Sequence, residues 1–99
     1  MAKSTNPVAI ITGGSRGVGK ATALLLASKG WNITVTCTSS MSQAEKVVAL
    51  CQDLGVEAQA LQADVSDNQA CLNTVEQTLQ KWGRVDCLVN NAGTTKFAF

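Results

Sequence analysis

The sequence predicts an α/β fold, a doubly wound parallel sheet of four strands with a helix in each of the three connections. Short apolar or β-branched runs alternate with Ala-, Leu- or Val-bearing segments of helical period all along the chain. Gly30, Gly55 and Gly83 stand where each helical segment gives way to the next strand. The residues that look functional all follow the carboxyl ends of the strand-like runs, the end at which open parallel sheets hold ligands.

The first strand is PVAIIT at 7–12, nearly unbroken in its apolarity and so suited to burial on both faces. A helix is expected over 18–29, with Val18 and Leu25 in its buried stripe. NITVTC at 32–37 is β-branched and reads as the second strand. The pair Ser42 and Glu45 has the spacing of a capping box, opening a helix that carries Ala44, Val47, Val48, Cys51 and Leu54 on one side. VEAQALQAD at 56–64 alternates apolar with polar residues, as an edge strand does. A second capping box, Ser66 with Gln69, opens a helix reaching 81 or 82, with Leu72, Val75, Leu79 and Trp82 along its buried side. VDCLVNNAG at 85–93 is the fourth strand. Right-handed crossovers in the dinucleotide-binding (Rossmann) winding give the spatial order 3-2-1-4, with the sheet truncated after its fourth strand. Residues 1–99 are then the amino-terminal, cofactor-binding part of a single domain.

Composition narrows the function. At 45% hydrophobic and 15% charged, the chain has enough apolar surface to fold. A formal net charge of +1 offers no footprint for nucleic acid or an anionic membrane surface, and no apolar run is long enough to span a bilayer, so a cytoplasmic location is expected. Cys37, Cys51, Cys71 and Cys87 lie in apolar periodic segments with no C-x-x-C pair, which suits reduced, packed thiols and no metal site. His and Tyr are both absent, so the commonest proton-transfer groups are missing from these residues.

Two phosphate loops overlap in GGSRGVGK at 13–20. The triphosphate pattern requires a hydroxyl after Lys20 to ligate Mg²⁺, and Ala21 stands there; Thr22 is about 100° further round the helix and cannot substitute. The dinucleotide reading uses Gly13, Gly17 and Gly19. Gly13 allows a sharp turn, Gly17 keeps side chain away from a pyrophosphate, and Gly19 permits close helix packing, while the first-turn amides face the negative charge.

TGGSRGVG at 12–19, the pair Asp64-Val65 and NNAG at 90–93, at these separations, resemble the amino-terminal part of a short-chain dehydrogenase/reductase, from about Val8 onward. The resemblance implies that Gly13, Ser15, Arg16 and Val18 meet the phosphates and ribose of a nicotinamide cofactor. Asp64 and Val65 would meet the adenine, and Asn91, Ala92 and Gly93 the ribose nearer the nicotinamide. It further implies a catalytic Ser and a Tyr-x-x-x-Lys pair beyond the fourth strand, outside these residues, so that these 99 residues alone would be inactive. The parent protein is then expected to reduce a small-molecule carbonyl to an alcohol, as a homotetramer or homodimer, and the ketoacyl-carrier-protein reductase branch looks nearest. The alternative is a non-catalytic NADP-binding module or regulator on the same half-fold.

Cofactors lacking a 2′-phosphate are usually recognised by a carboxylate at the end of the second strand. Here Thr38, Ser39 and Ser40 follow Cys37, and no carboxylate comes before Glu45. Hydroxyls and the Arg16 guanidinium suit a phosphate, so NADP(H) is the expected cofactor; Asp at Thr38 or Ser39 is expected to reverse the preference.

Overall fold

A computed structural model describes residues 3–91. The element order is β1 (Val8–Thr12), α1 (Gly17–Ser28), β2 (Asn32–Cys37), α2 (Met41–Asp53), β3 (Ala58–Gln62), α3 (Asn68–Trp82) and β4 (Cys87–Asn90). The strands form one parallel sheet in the order β3-β2-β1-β4, as the sequence predicts. Register runs Ile10 opposite Thr34 and Leu88, so alternate residues of neighbouring strands share a face.

The two faces differ in chemistry. On one, Ala9, Ile11, Ile33, Val35 and Cys37 form the main apolar core with Ala23 and Ala27 of α1 and Ala44, Val47 and Cys51 of α2. On the other, Asn32, Thr34 and Thr36 are buried beside Val8 and Ile10, and Thr34 meets α3 at Thr78. Thr78 Oγ1 donates to the Thr74 carbonyl at 2.8 Å, so the 3.0 Å contact between Thr34 and Thr78 has Thr34 as donor. Gln59 Nε2 donates to the same Thr34 hydroxyl at 3.0 Å, and Trp82 Nε1 to Glu57 Oε1 at 2.9 Å.

The stripe expected for α3 holds at Trp82 and shifts elsewhere. Leu72 and Leu79 are 57% and 43% exposed, while Thr74 and Thr78 are buried beside Trp82, and the Thr78 hydroxyl is matched by that of Thr34 on the sheet. The α1 stripe also differs. Val18 and Leu25 are 72% and 59% exposed, whereas Gly19, Ala23 and Ala27 face inward. Spaced by four, these small residues let α1 lie closer to the sheet than Val or Leu would permit. Leu54, expected on the buried side of the second helix, is instead its exposed C-cap.

Neither expected capping box forms. Helix α2 starts at Met41 with Ser40 at the N-cap and no side-chain cap bond, which places Ser42 inside the first turn. At α3 the cap is Asp67, whose Oδ1 accepts from Gln69 N at 2.9 Å and Ala70 N at 3.4 Å; Ser66 is drawn back by Asp64 Oδ1, which accepts from both its N–H and its hydroxyl. Asp67→Ala is therefore expected to destabilise the fold by about 1 kcal/mol, lowering Tm by a few degrees in a calorimetric scan.

At the amino ends of the strands, Asp86 ties the chain together. Its Oδ2 accepts from Val8 N at 2.8 Å and from Arg84 Nε at 2.8 Å, and its Oδ1 accepts from Arg84 Nη2 at 2.7 Å. The Arg84 hydrogen bonds, then the Val8 N–H, hold the Asp86 carboxyl below the usual carboxylate range. A folded-state pKa below the unfolded value near ~4 gives stability that is present above that pH and lost as pH falls through the folded pKa. The Tm advantage of wild type over Asp86→Asn should thus be full at neutral pH and shrink on acidification. An advantage independent of pH would exclude this linkage.

All four cysteines are free. Cys37 and Cys51 sit in the core, and burial pushes the Cys51 thiol up, away from reactive thiolate.

Candidate functional site

The carboxyl end of β1 runs straight into the glycine loop, and each glycine has a separate physical reason to be there. Gly13 turns the chain with φ 67°, and Gly17 starts α1 with φ 62°. No atom lies within 4 Å of a Cβ built on Gly17, so the backbone there faces open space. A Cβ on Gly19 would collide with the Gly13 carbonyl oxygen and come 2.6 Å from Asn91 Nδ2. One on Gly14 would come 2.7 Å from Val35 Cγ1.

Arg16 occupies the N-cap of α1 in extended conformation, without a side-chain cap bond to the first turn. Those amides point out of a helix whose positive dipole end faces the same way. The loop is held from both neighbouring strands. Gly14 N donates to the Thr36 carbonyl at 3.2 Å, and Asn91 Nδ2 donates to the Gly13 carbonyl at 3.3 Å. Thr12 Oγ1 donates to Asn90 Oδ1 at 2.9 Å and accepts from Asn91 N at 3.0 Å, so Asn90 at the end of β4 and Asn91 after it both help fix the loop.

A groove of about 300 Å³ opens between this loop and the β2–α2 connection. Gly13, Ser15 and Arg16 form one wall, Thr38, Ser39 and Ser40 the other, and Asn91 and Cys37 also line it. Beside it, a second open groove is lined by Ser15, Arg16 and Gly17 together with Lys20, Gln43 and Lys46. The residues expected from the sequence therefore divide. Seven of them converge on the first groove, Gly17 borders the second, Gly19 is packed beneath the loop, and Val18 is exposed on the first turn of α1. Asp64 and Val65 follow β3 without lining either groove. The Ser66 N–H, then its hydroxyl, hold the exposed Asp64 carboxyl below its ordinary range, so it is an anion and an acceptor at neutral pH. Val65 instead borders an apolar cavity of about 80 Å³, together with Thr36, whose hydroxyl finds no partner among the described residues. Ala92 and Gly93 lie outside the described residues.

Cys37, Lys20 and Lys46 were not among the expected site residues. Cys37 ends β2 and lines the groove although only 4% exposed; reading it as a core thiol hid its position. Lys20 follows the glycine loop and Lys46 lies on α2, and only the packing of α1 beside α2 brings them together. The arrangement can bind a polyanion, with helix-terminal amides and Arg16 toward the loop and hydroxyls opposite. Among the described residues no cluster of His, Cys, Asp and Glu could hold a metal ion, and no helix is long and apolar enough to cross a membrane.

A 3-oxoacyl-[acyl-carrier-protein] reductase from Synechocystis is 45% identical over 96 residues, which are 97% of this chain and 39% of the relative. The chain thus spans well under half the length of that protein. A shorter relative, the short-chain dehydrogenase/reductase homolog YusS of Bacillus subtilis, is 41% identical over 92% of this chain and 84% of its own. The crystal structure of a short-chain dehydrogenase/reductase from Burkholderia xenovorans superposes with a TM-score of 0.88 at 38% identity, covering 97% of this chain and 40% of the other. The family pattern described as short chain dehydrogenase matches residues 7–99, nearly the whole chain, and the chain belongs to that family of oxidoreductases.

Proposed function

We propose that residues 1–99 are the NADP(H)-binding part of one Rossmann domain, in an enzyme that reduces a small-molecule carbonyl to an alcohol. The observation that carries this is the two-walled groove, with Arg16 facing Thr38, Ser39 and Ser40 and no carboxylate at the end of β2. The residues fit the cofactor: Gly17 leaves open space, Gly19 leaves none for a side chain, and Arg16 at the N-cap of α1 makes no side-chain cap bond.

In this reading Gly13, Ser15, Gly17, Val18 and Gly19 shape the loop over the pyrophosphate and its ribose. Arg16, Thr38, Ser39 and Ser40 hold the 2′-phosphate, with Lys20 and Lys46 adding positive potential beside it. Asp64 and Val65 border the adenine, the Asp64 carboxylate accepting from its amino group. Asn91, Ala92 and Gly93 run beneath the second ribose. Bound nicotinamide would supply hydride to the carbonyl carbon. The proton for the new hydroxyl comes from residues outside this sequence, which has neither His nor Tyr. The relative named as a 3-oxoacyl-[acyl-carrier-protein] reductase supports a ketone as substrate. A cytoplasmic location and a homodimeric or homotetrameric assembly belong to the same proposal.

Calorimetric titration of the full-length protein should show NADPH binding at least tenfold tighter than NADH. Equal affinities would overturn the cofactor assignment. The Bacillus subtilis relative, 84% of which is matched, favours a second reading, a cofactor-binding module without turnover. NADPH binding with no NADPH oxidation across a panel of ketones and ketoacyl thioesters would decide for it.

A further inference from the structure

We propose that Gln62 is a positioning residue for the 2′-phosphate wall of the groove, a role that rests on the NADP(H) reading above. Along β2 the backbone carbonyls alternate in direction. The Thr36 carbonyl accepts from Gly14 N on the β1 side at 3.2 Å, and the Cys37 carbonyl accepts from Ala63 N on the β3 side at 2.9 Å. β2 ends at Cys37 and the chain bends at Thr38 and Ser39, so strand alternation no longer fixes the direction of the Thr38 carbonyl. There Gln62 Nε2, at the end of β3, donates to the Thr38 carbonyl at 2.8 Å.

The consequence follows from peptide geometry. In a planar trans peptide the N–H points opposite to the preceding carbonyl, so holding the Thr38 oxygen toward Gln62 directs the Ser39 N–H away from β3. That is the side on which Gly13, Ser15 and Arg16 form the opposite wall. Gln62 thereby does two things for a phosphate: it removes a carbonyl dipole that would repel the anion, and it offers the anion an amide donor. Gln62 lines neither groove itself and acts only through the peptide it holds. The link spans 24 residues of sequence, from one strand end to the next.

The test uses the full-length protein and two probes that differ only in the group concerned, adenosine 2′,5′-bisphosphate and adenosine 5′-monophosphate. Gln62→Met keeps the length of the side chain and deletes its donor. The expected result is a loss of affinity for the bisphosphate on the order of fivefold, with the monophosphate changed far less. The Ser39 amide resonance, shifted by the bisphosphate in wild type, should respond less in the variant. Parallel weakening of both probes, with a lowered Tm, would show a merely structural contact and overturn the role. So would an unchanged ratio between the probes in Gln62→Met. Wild type that binds the two probes equally would remove the cofactor reading, and this role with it; wild-type discrimination that survives the substitution removes only the role of Gln62.

Discussion

Gly19→Ala should abolish measurable cofactor binding and lower Tm by several degrees, the largest effect expected of any single methyl group in the chain. The added Cβ would collide with the Gly13 carbonyl oxygen and lie 3.0 Å from its carbonyl carbon. Neither atom can step aside cheaply, since Gly13 is already at φ 67° and its carbonyl is bonded by Asn91 Nδ2 at 3.3 Å. Helix α1 cannot retreat either, because Ala23 and Ala27 continue the same contact line and are fully buried. Overpacking of this kind costs about 1–3 kcal/mol in stability. The loss in binding is greater, because the Gly13 turn and the first-turn amides of α1 are the parts displaced, and each 1.4 kcal/mol is about tenfold in affinity. Gly17→Ala provides the contrast. Its Cβ meets nothing within 4 Å, and only its φ of 62° opposes the change. It should cost about 1 kcal/mol in stability while weakening binding by intruding on the cofactor's side of the loop. Calorimetric scans and NADPH titrations of both variants check the ordering; a Gly19→Ala protein that melts and binds as wild type does would refute the packing argument.

Much of this was legible in the sequence because the signals are local. The run at 32–37 is β-branched, lies between a Gly-terminated helix and a polar loop, and is strand β2 without a shift at either end. The glycine loop was legible too, since a left-handed turn and a tight contact each demand a residue type that is visible in one dimension. What was not legible depends on what lies opposite. The inward stripe of α1 is Gly19, Ala23 and Ala27, and a search for large apolar residues passes over it. On α3 the buried Trp82 was legible, but the buried Thr78 makes sense only beside the Thr34 hydroxyl, 44 residues away. Caps failed for a related reason. Ser66 and Asp67 compete for one helix start, and the contact between Ser66 and Asp64 settles it. In the site, Lys46 and Gln62 reach the groove region through α2 and β3, so no motif around the glycine loop could announce them.

On the NADP(H) reading proposed above, Cys37→Asp should invert the preference from NADPH to NADH, with a swing in the affinity ratio of about a thousandfold. The expectation from sequence alone placed this switch at Thr38 or Ser39, which are exposed residues of the groove wall. The structure makes Cys37 the better site, because it is the last residue of β2 and lines the groove between the glycine loop and that wall. A carboxylate at the end of the second strand is where the ribose hydroxyls of an unphosphorylated cofactor are accepted. Against NADPH, a new anion lining the groove that would hold the 2′-phosphate costs a few kcal/mol at an effective dielectric of about 20, roughly a hundredfold in affinity. In favour of NADH, a charge-assisted hydrogen bond to a ribose hydroxyl contributes about 1.5–3 kcal/mol, another tenfold or more. The carboxylate also enters a site that is 4% exposed, and its desolvation lowers stability whatever the cofactor. Cys37→Asn separates the two effects, having nearly the shape of Asp without the charge. If charge against charge sets the preference, Asn weakens both cofactors alike and leaves NADPH ahead, while Asp alone reverses the order. If Asn and Asp behave the same, the groove discriminates by shape, and the assignment of Arg16, Thr38, Ser39 and Ser40 to the 2′-phosphate is wrong.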